Sequence, residues 1–434
     1  MVHRIITQIS LLIFLGIFSR GIYAQDTLSL NKKEAETLFL QNNLSLLVEH
    51  LAISKAEAEL IQAKVWPNPT LTIDQVNLWK PKSKIQGQEL VPPLSGDFGR
   101  NQQFGISIEQ LIITAGKRKK LMALEKVNIE QSKRYFENVL RNLKIEFRML
   151  LNEMNYLQNY HSVYSKQLES IQQLTDAYRN QVDAGFLNKG EFFRLKAMNL
   201  EILNDLRELE NEIETTSFQL KQLMHLPSNT IFQLKQENLA ADFSNLEMLN
   251  IAALIDTART NRPEYQISKL QQEYAQHLLK VEKAERIPNL SLIGEYNRGD
   301  AIYTDFVGFG VALDLPIFNR NKGNIRKAEL AIKQAELEEE FTTSAIEKEI
   351  TLAVFQLRKA LQFSEAIEEN YTEELDQVLT AYTENFKNKN MGIIQYLDFL
   401  EAYLENKNII LQSEIELMNK AEELNYAVGK DVIK

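Results

Sequence analysis

The side chains able to do chemistry are few and far apart. The chain has no cysteine, which excludes thiolate nucleophiles, thiolate metal sites, disulfides and lipid attachment through sulfur. Its five histidines, His3, His50, His161, His225 and His277, never fall at i, i+4 and have no carboxylates at ligand spacing. His161 sits on an apolar helical stripe and reads as a packed residue. No Gly-rich phosphate loop and no Gly-x-Ser-x-Gly elbow occurs. Arg298-Gly299-Asp300, an adhesion-like tripeptide, falls where a hairpin turn is expected. With no polar cluster at catalytic spacing, the chain reads as a non-enzyme without cofactor or resident metal. Lys+Arg 49 against Asp+Glu 59 gives a net charge of -10, and no basic segment stands out, which argues against nucleic acid as a partner. What remains is the chemistry of carboxylates in a narrow, water-filled opening. There they attract cations, repel anions and can bind a blocking divalent ion. Such a role needs elements that build an opening.

Those elements begin outside the cytoplasm. Residues 1–24 read as a secretory signal: His3 and Arg4 open it, residues 5–18 are largely apolar, and Ala24 ends it before Gln25. The rival reading, a membrane anchor, meets an apolar stretch short of the roughly 20 residues a spanning helix needs. No later segment is apolar enough for a transmembrane helix. An exported protein then enters a membrane only as a closed barrel, because every backbone amide in lipid must be paired.

Glycine and proline divide the rest. Gly116 to Gly185 and Gly323 to Gly392 bound two equal runs with neither residue. Helix interiors exclude Pro at roughly 3 kcal/mol and Gly at roughly 1 kcal/mol, so each run predicts a long helix. At 1.5 Å per residue each would span about 100 Å. Leu140, Leu143, Phe147, Leu150, Met154, Leu157, His161, Tyr164, Leu168 and Ile171 step by 3 and 4, the coiled-coil period; Ile346, Ile350, Val354, Leu357 and Leu361 carry a similar stripe. Each run has a shorter helical partner, about 191–224 and 393–428.

Other landmarks repeat. Pro67-Asn68 matches Pro288-Asn289 at an offset of 221, Phe104-Gly105-Ile106 matches Phe309-Gly310-Val311 at 205, and Ala177-Tyr178 matches Ala381-Tyr382 at 204. The chain reads as a tandem duplication, 25–227 and 228–434, with a longer loop near 80–103 in the first copy. Strands are expected at about 70–79 and 104–113, then 290–299 and 305–315. The long helices are expected at about 117–184 and 324–391. Phe104, Ile106 and Ile108 alternate with Gly105, Ser107 and Glu109, and Phe309, Val311 and Leu313 with Gly308, Gly310 and Ala312. Such rows suit a wall with lipid outside and water within. Trp79, Tyr296, Tyr303 and Phe306 are candidates for an interfacial girdle. Four strands cannot close a membrane barrel, since the smallest have about eight, so identical chains must pool them.

This order of parts resembles the TolC-type outer-membrane efflux family over nearly all of the chain after the signal segment. Pro67-Asn68-Pro69, Pro288-Asn289, the stretch Leu315 to Gly323 and the ending Leu424-Asn425-Tyr426-Ala427-Val428-Gly429 carry the likeness. Thr114-Ala115-Gly116-Lys117-Arg118 resembles the Gly-Lys-Arg of the branch serving cobalt–zinc–cadmium pumps. The resemblance implies a mainly α protein with a β-barrel portion. It would be a homotrimer with a twelve-stranded barrel in outer-membrane lipid of a Gram-negative bacterium, above a helical periplasmic tunnel. It implies a passive exit duct fed by an inner-membrane resistance-nodulation-division pump and a periplasmic adaptor (membrane fusion) protein, with divalent metal cations as the favoured cargo. A drug duct of the same family and an exported structural coiled coil are the alternatives.

The resemblance also places a constriction and a docking tip. The constriction candidates are Asp398, Gln395 and Phe386, with Glu191 and Arg194 as first-copy counterparts. The adaptor-docking candidates are Gly185, Phe186, Leu187, Lys389, Asn390 and Gly392. Two departures from the family pattern stand out: Val182 occupies the place of an aromatic, and Lys389 that of a glycine.

Overall fold

In the computed structural model the described residues are 27–77, 84–85, 88–89, 103–186, 188–235, 243, 250–298, 305–368 and 370–433. The expected signal segment, most of the 80–103 loop, Trp79, Leu187, the Gly299-Asp300 pair and Tyr303 lie outside them.

After strand β1 (Thr27–Leu30), helices α1 (Lys32–Asn42) and α2 (Leu44–Lys64) lead to strand β2 (Thr70–Asn77). Asn31 and Glu34 form a capping box at the start of α1, and the Asn43 side chain caps α2. Two short strands, β3 (Lys84–Ile85) and β4 (Gln88–Glu89), precede β5 (Gln103–Ile112); then come α3 (Lys117–Asp183) and α4 (Lys189–Leu223). The sequence continues with β6 (Ile231–Leu234), α5 (Ile251–Asn261), α6 (Pro263–Ala284), β7 (Leu290–Arg298) and β8 (Asp305–Leu313). Helices α7 (Lys322–Glu365), α8 (Tyr371–Lys387) and α9 (Ile393–Val428) complete the described chain. Strand β8 ends at Leu313 rather than 315 because its partner β7 begins at Leu290, directly opposite.

Strands β2, β5, β7 and β8 form one antiparallel sheet in that order. Its register sorts the side chains by face. The rung Leu71–Ile108–Gly294–Phe309 and the rung Ile73–Ile106–Tyr296–Val307 lie on one side; Thr72–Ser107–Glu295–Gly308 lies on the other. Leu71, Ile73, Ile106, Ile108, Leu292, Val307, Val311 and Leu313 are exposed, and Phe309 is 91% exposed. An apolar face this continuous is not left to water in a finished assembly. Among the described residues no strand lies beside the outer edges of β2 and β8, so the described sheet is open. No described helix is long and apolar enough to cross a membrane.

The expectation of two equal long helices holds once and fails once. α3 runs unbroken for 67 residues, about 100 Å. The run expected at 324–391 is instead two helices, α7 ending at Glu365 and α8 beginning at Tyr371. No Gly or Pro marks the break; the buried stripe lapses there. After Leu357 and Ala360 the next stripe positions are Ser364 and Glu368, and among the described residues no apolar side chain is fully buried again until Leu375 and Leu379. A helix without a buried face gains little beyond propensity. Glu373 and Glu374 in the first turn of α8 favour a fresh start, since anions stabilise helix N-termini.

Near the sheet, α2 packs on α3, α3 on α6 and α6 on α7, the same order as the strands they adjoin. Farther away, α4 packs on α3, α3 on α9 and α9 on α8. Between these ends the parallel pair β1–β6 covers a core of Phe39, Phe147, Leu151, Met154, Leu220 and Met224, with Phe39 stacked on Phe147 at 4.6 Å. A charged girdle surrounds this level. Arg262, 5% exposed, donates to Glu349 at 2.6 Å and to the Ala427 carbonyl at 3.2 Å, and Arg141 pairs with Glu264. Arg148 holds Glu36, Glu422 and Asp431. Burial alone would raise the Asp431 pKa, but the Arg148 hydrogen bond and charge, with Lys144, bring it below its ordinary value.

Candidate functional site

The end of the molecule opposite the sheet is made by two helical turns built alike. After α3, Gly185 is left-handed at φ 78, the Phe186 N–H donates to the Gln181 carbonyl at 2.8 Å, and the Gly185 N–H to the Val182 carbonyl at 3.0 Å. After α8, Lys389 is left-handed at φ 59, the Asn390 N–H donates to the Asn385 carbonyl at 2.9 Å, and the Lys389 N–H to the Phe386 carbonyl at 3.0 Å. Both are Schellman caps. The lysine that replaces glycine therefore keeps the turn and bears its strain, which for a residue with a Cβ is roughly 1–2 kcal/mol. Lys389→Gly is expected to stabilise by about 0.5–1 kcal/mol and Gly185→Ala to destabilise by about 1 kcal/mol. Thermal melting checks both; a lower melting point for Lys389→Gly would contradict the strain.

Between the turns lies an aromatic hub. Tyr178 of α3 stacks on Phe386 of α8 at 5.3 Å, and Phe386 stacks on Tyr396 of α9 at 4.7 Å and 3°. Phe386 is 1% exposed. Its ring fills the packing between the helices and joins two hairpins. Tyr382 stacks on Phe399 alongside, at 4.2 Å. Burial, then the neighbouring Glu191 carboxylate, raise the Tyr178 pKa. Lower on the same hairpin Asp376 accepts from the Tyr403 hydroxyl at 2.8 Å and pairs with the buried Lys407 at 2.7 Å, tying α8 to α9.

The other expected residues lie around this hub. Gln395 and Asp398 are exposed on the first turns of α9, and Gln395 Oε1 accepts from the Gly392 N–H at 3.4 Å. On α4 Glu191 is half-buried and Arg194 exposed. Gly185, Phe186, Lys389, Asn390 and Gly392 are exposed on the two turns; Leu187 is outside the described residues. His161, read as packed, is half-buried and faces Glu210 at 3.6 Å. Among the described residues no three His, Asp or Glu side chains gather to hold a metal ion.

The Gly116-Lys117-Arg118 segment lies at the opposite end, under the sheet. Gly116 is left-handed and starts α3. Lys117, 7% exposed, reaches Asn289 Oδ1 at 3.0 Å and Glu285 Oε2 at 3.0 Å. Thr114 donates its hydroxyl to the Pro288 carbonyl at 2.5 Å and its N–H to Asn289 Oδ1 at 3.4 Å. Arg118 lies 4.2 Å over Trp66 and donates to the Lys64 carbonyl at 3.3 Å. Sequence reasoning noted both motifs without seeing that they touch.

Residues 37–224 match the family model described as outer membrane efflux protein. That segment, the first of the two copies, is of the outer membrane efflux type. The cobalt-zinc-cadmium resistance protein CzcC of Cupriavidus metallidurans is 27% identical over 152 residues, 34% of this chain and 35% of that protein, so the chain matches about a third of this relative's length. The solved structure of CusC, described in terms of folding and transmembrane channel formation, superposes with a TM-score of 0.69 at 16% identity, over 94% of this chain and 96% of that one. The CmeC outer membrane channel of Campylobacter jejuni superposes with a TM-score of 0.71 at 16% identity, covering 92% of this chain and 85% of its own. At these identities the two structures establish the fold: a helical body carrying strands for a barrel. The family and these neighbours are outer-membrane channels, not enzymes.

Proposed function

We propose that this chain is the outer-membrane exit duct of a tripartite efflux system, assembled as a homotrimer. The observation that carries the reading is the four-stranded sheet with one continuous exposed apolar face and two open edges. Three such sheets would supply twelve strands, and the long helices below would continue the wall as a periplasmic tunnel. An inner-membrane resistance-nodulation-division pump would load it through a periplasmic adaptor docked on the exposed turns at Gly185, Phe186, Lys389, Asn390 and Gly392. An exported structural coiled coil would explain the helices but not the apolar sheet face.

Asp398 is the gate residue in this reading. It projects from the first turns of α9 into solvent, and three copies would ring the narrow end. Gln395, one turn earlier, is occupied by its own helix start, and Glu191 lies against Tyr178. Opening would move the α8–α9 hairpin outward when the adaptor docks. Divalent cations are the cargo that the likeness to CzcC favours, and an acidic ring suits them. The alternative, a drug duct of the same family, has the same wall and differs only in the pump that feeds it. Single-channel recording in planar bilayers tests the gate: Asp398→Ala is expected to lower cation selectivity and weaken divalent block. Unchanged selectivity and block would remove Asp398 from the role.

A further inference from the structure

The seam between β5 and β7 is where the two halves of the chain meet in the sheet, and it is stapled at its helical end. The ladder runs to Ile112 opposite Leu290. Beyond it side chains take over: Thr114 on Pro288 and Asn289, and Lys117 on Asn289 and Glu285. The asparagine and the lysine of this staple have counterparts at the open edges. Asn289 corresponds to Asn68, in the turn before β2, and Lys117 corresponds to Lys322, in the turn after β8. The backbones agree: Gly116 before Lys117 has φ 64 and ψ 23, and Asn321 before Lys322 has φ 55 and ψ 24. The environments differ in exposure. Lys117 is buried in a finished seam, whereas Lys322 and Asn68 are both exposed.

We infer that a second copy of this chain completes the staple, with Lys322 of one protomer donating to the Asn68 side-chain oxygen of the next as β8 meets β2. The inference rests on the trimeric reading and deepens it by naming the contact that closes the wall. Apolar residues on the two edge helices continue the surface below it: Leu44, Leu47 and Leu51 of α2, and Leu330, Leu337 and Phe341 of α7, are exposed. Neighbouring copies in a closed ring bury surfaces of this kind against each other.

Two parts of the counterpart staple differ, Thr114 corresponding to Asn319 and Glu285 to Lys64. Glu285, the acid that partners Lys117, corresponds to Lys64, so a cation lies where the internal seam has an anion. The joint between copies is therefore weaker than the one within the chain, and one substitution should strengthen it.

Because the chain has no cysteine, thiols can be placed without background. Asn68→Cys combined with Lys322→Cys, treated in outer-membrane vesicles with a bismaleimide about as long as a lysine side chain, is expected to give inter-chain products up to a linked trimer. Either single variant is expected to give none. Absence of products from a protein that still runs as a heat-resistant oligomer would overturn this contact and leave the duct intact. A water-soluble monomer would overturn both. Independently, Lys64→Glu is expected to raise the temperature at which the oligomer dissociates, by a few degrees; an unchanged or lower value counts against the staple.

Discussion

Phe309→Arg is expected to remove the protein from the outer membrane as an assembled oligomer. Phe309 is the most exposed large hydrophobic residue of the sheet and lies at the middle of β8 on its apolar face, beside Gly294 and in line with Ile108 and Leu71. An arginine facing lipid near mid-bilayer costs about 2–4 kcal/mol per site, and the proposed ring would carry one in each of its copies. Summed over the ring, that is of the order of the whole stability of a typical domain. Membrane fractionation and heat-resistant bands on gels read the outcome. Glu109→Arg, on the opposite face of β5, is the matched control and should assemble normally. Equal assembly of the two variants would show that the apolar face does not meet lipid.

The second large effect is at the hub. Phe386→Ala should destabilise the tip by about 3–5 kcal/mol, the usual loss for a fully buried phenylalanine. The ring is stacked on both sides, so truncation leaves a cavity between Tyr178 and Tyr396 that neither can close by itself. The expected result is an oligomer that still inserts, because the sheet is remote, but whose α8–α9 hairpin is cut by protease far faster than in the parent. Phe386→Leu, which keeps most of the volume, should lie between. Parent-like resistance in Phe386→Ala would mean that the hairpins are held together elsewhere, with the Asp376–Lys407 pair the first place to look.

Both variants bear on how far the amino-acid sequence can be read. The period-two rows of β5 and β8 are legible because a strand between lipid and water must alternate, and α3 is legible because nothing in it breaks a helix. The break after α7 is not. Counting Gly and Pro finds only one way to end a helix, and here the buried stripe lapses while acids in the next first turn favour a new start. The burial of Phe386 is illegible for a different reason. An aromatic near a helix end reads the same whether it faces a lumen or a neighbouring helix, and only the stack with Tyr178 and Tyr396 decides. The charged girdle is likewise invisible beforehand. Arg148 and Arg262 find their carboxylates across long stretches of chain, and no local spacing announces such pairs. Lys117 and Asn289 were each conspicuous, and their contact follows only from the register of β5 on β7.

The matching order of strands and helices bears on how such a wall tolerates change. In the proposed trimer the staves form a cylinder in which covalent joints and docked joints alternate. A lesion in any one stave appears three times around the circumference, always the same distance from its repeats. Damage is thus spread evenly and the cylinder weakens without leaning, whereas a mixed ring holding one altered chain would deform towards that side.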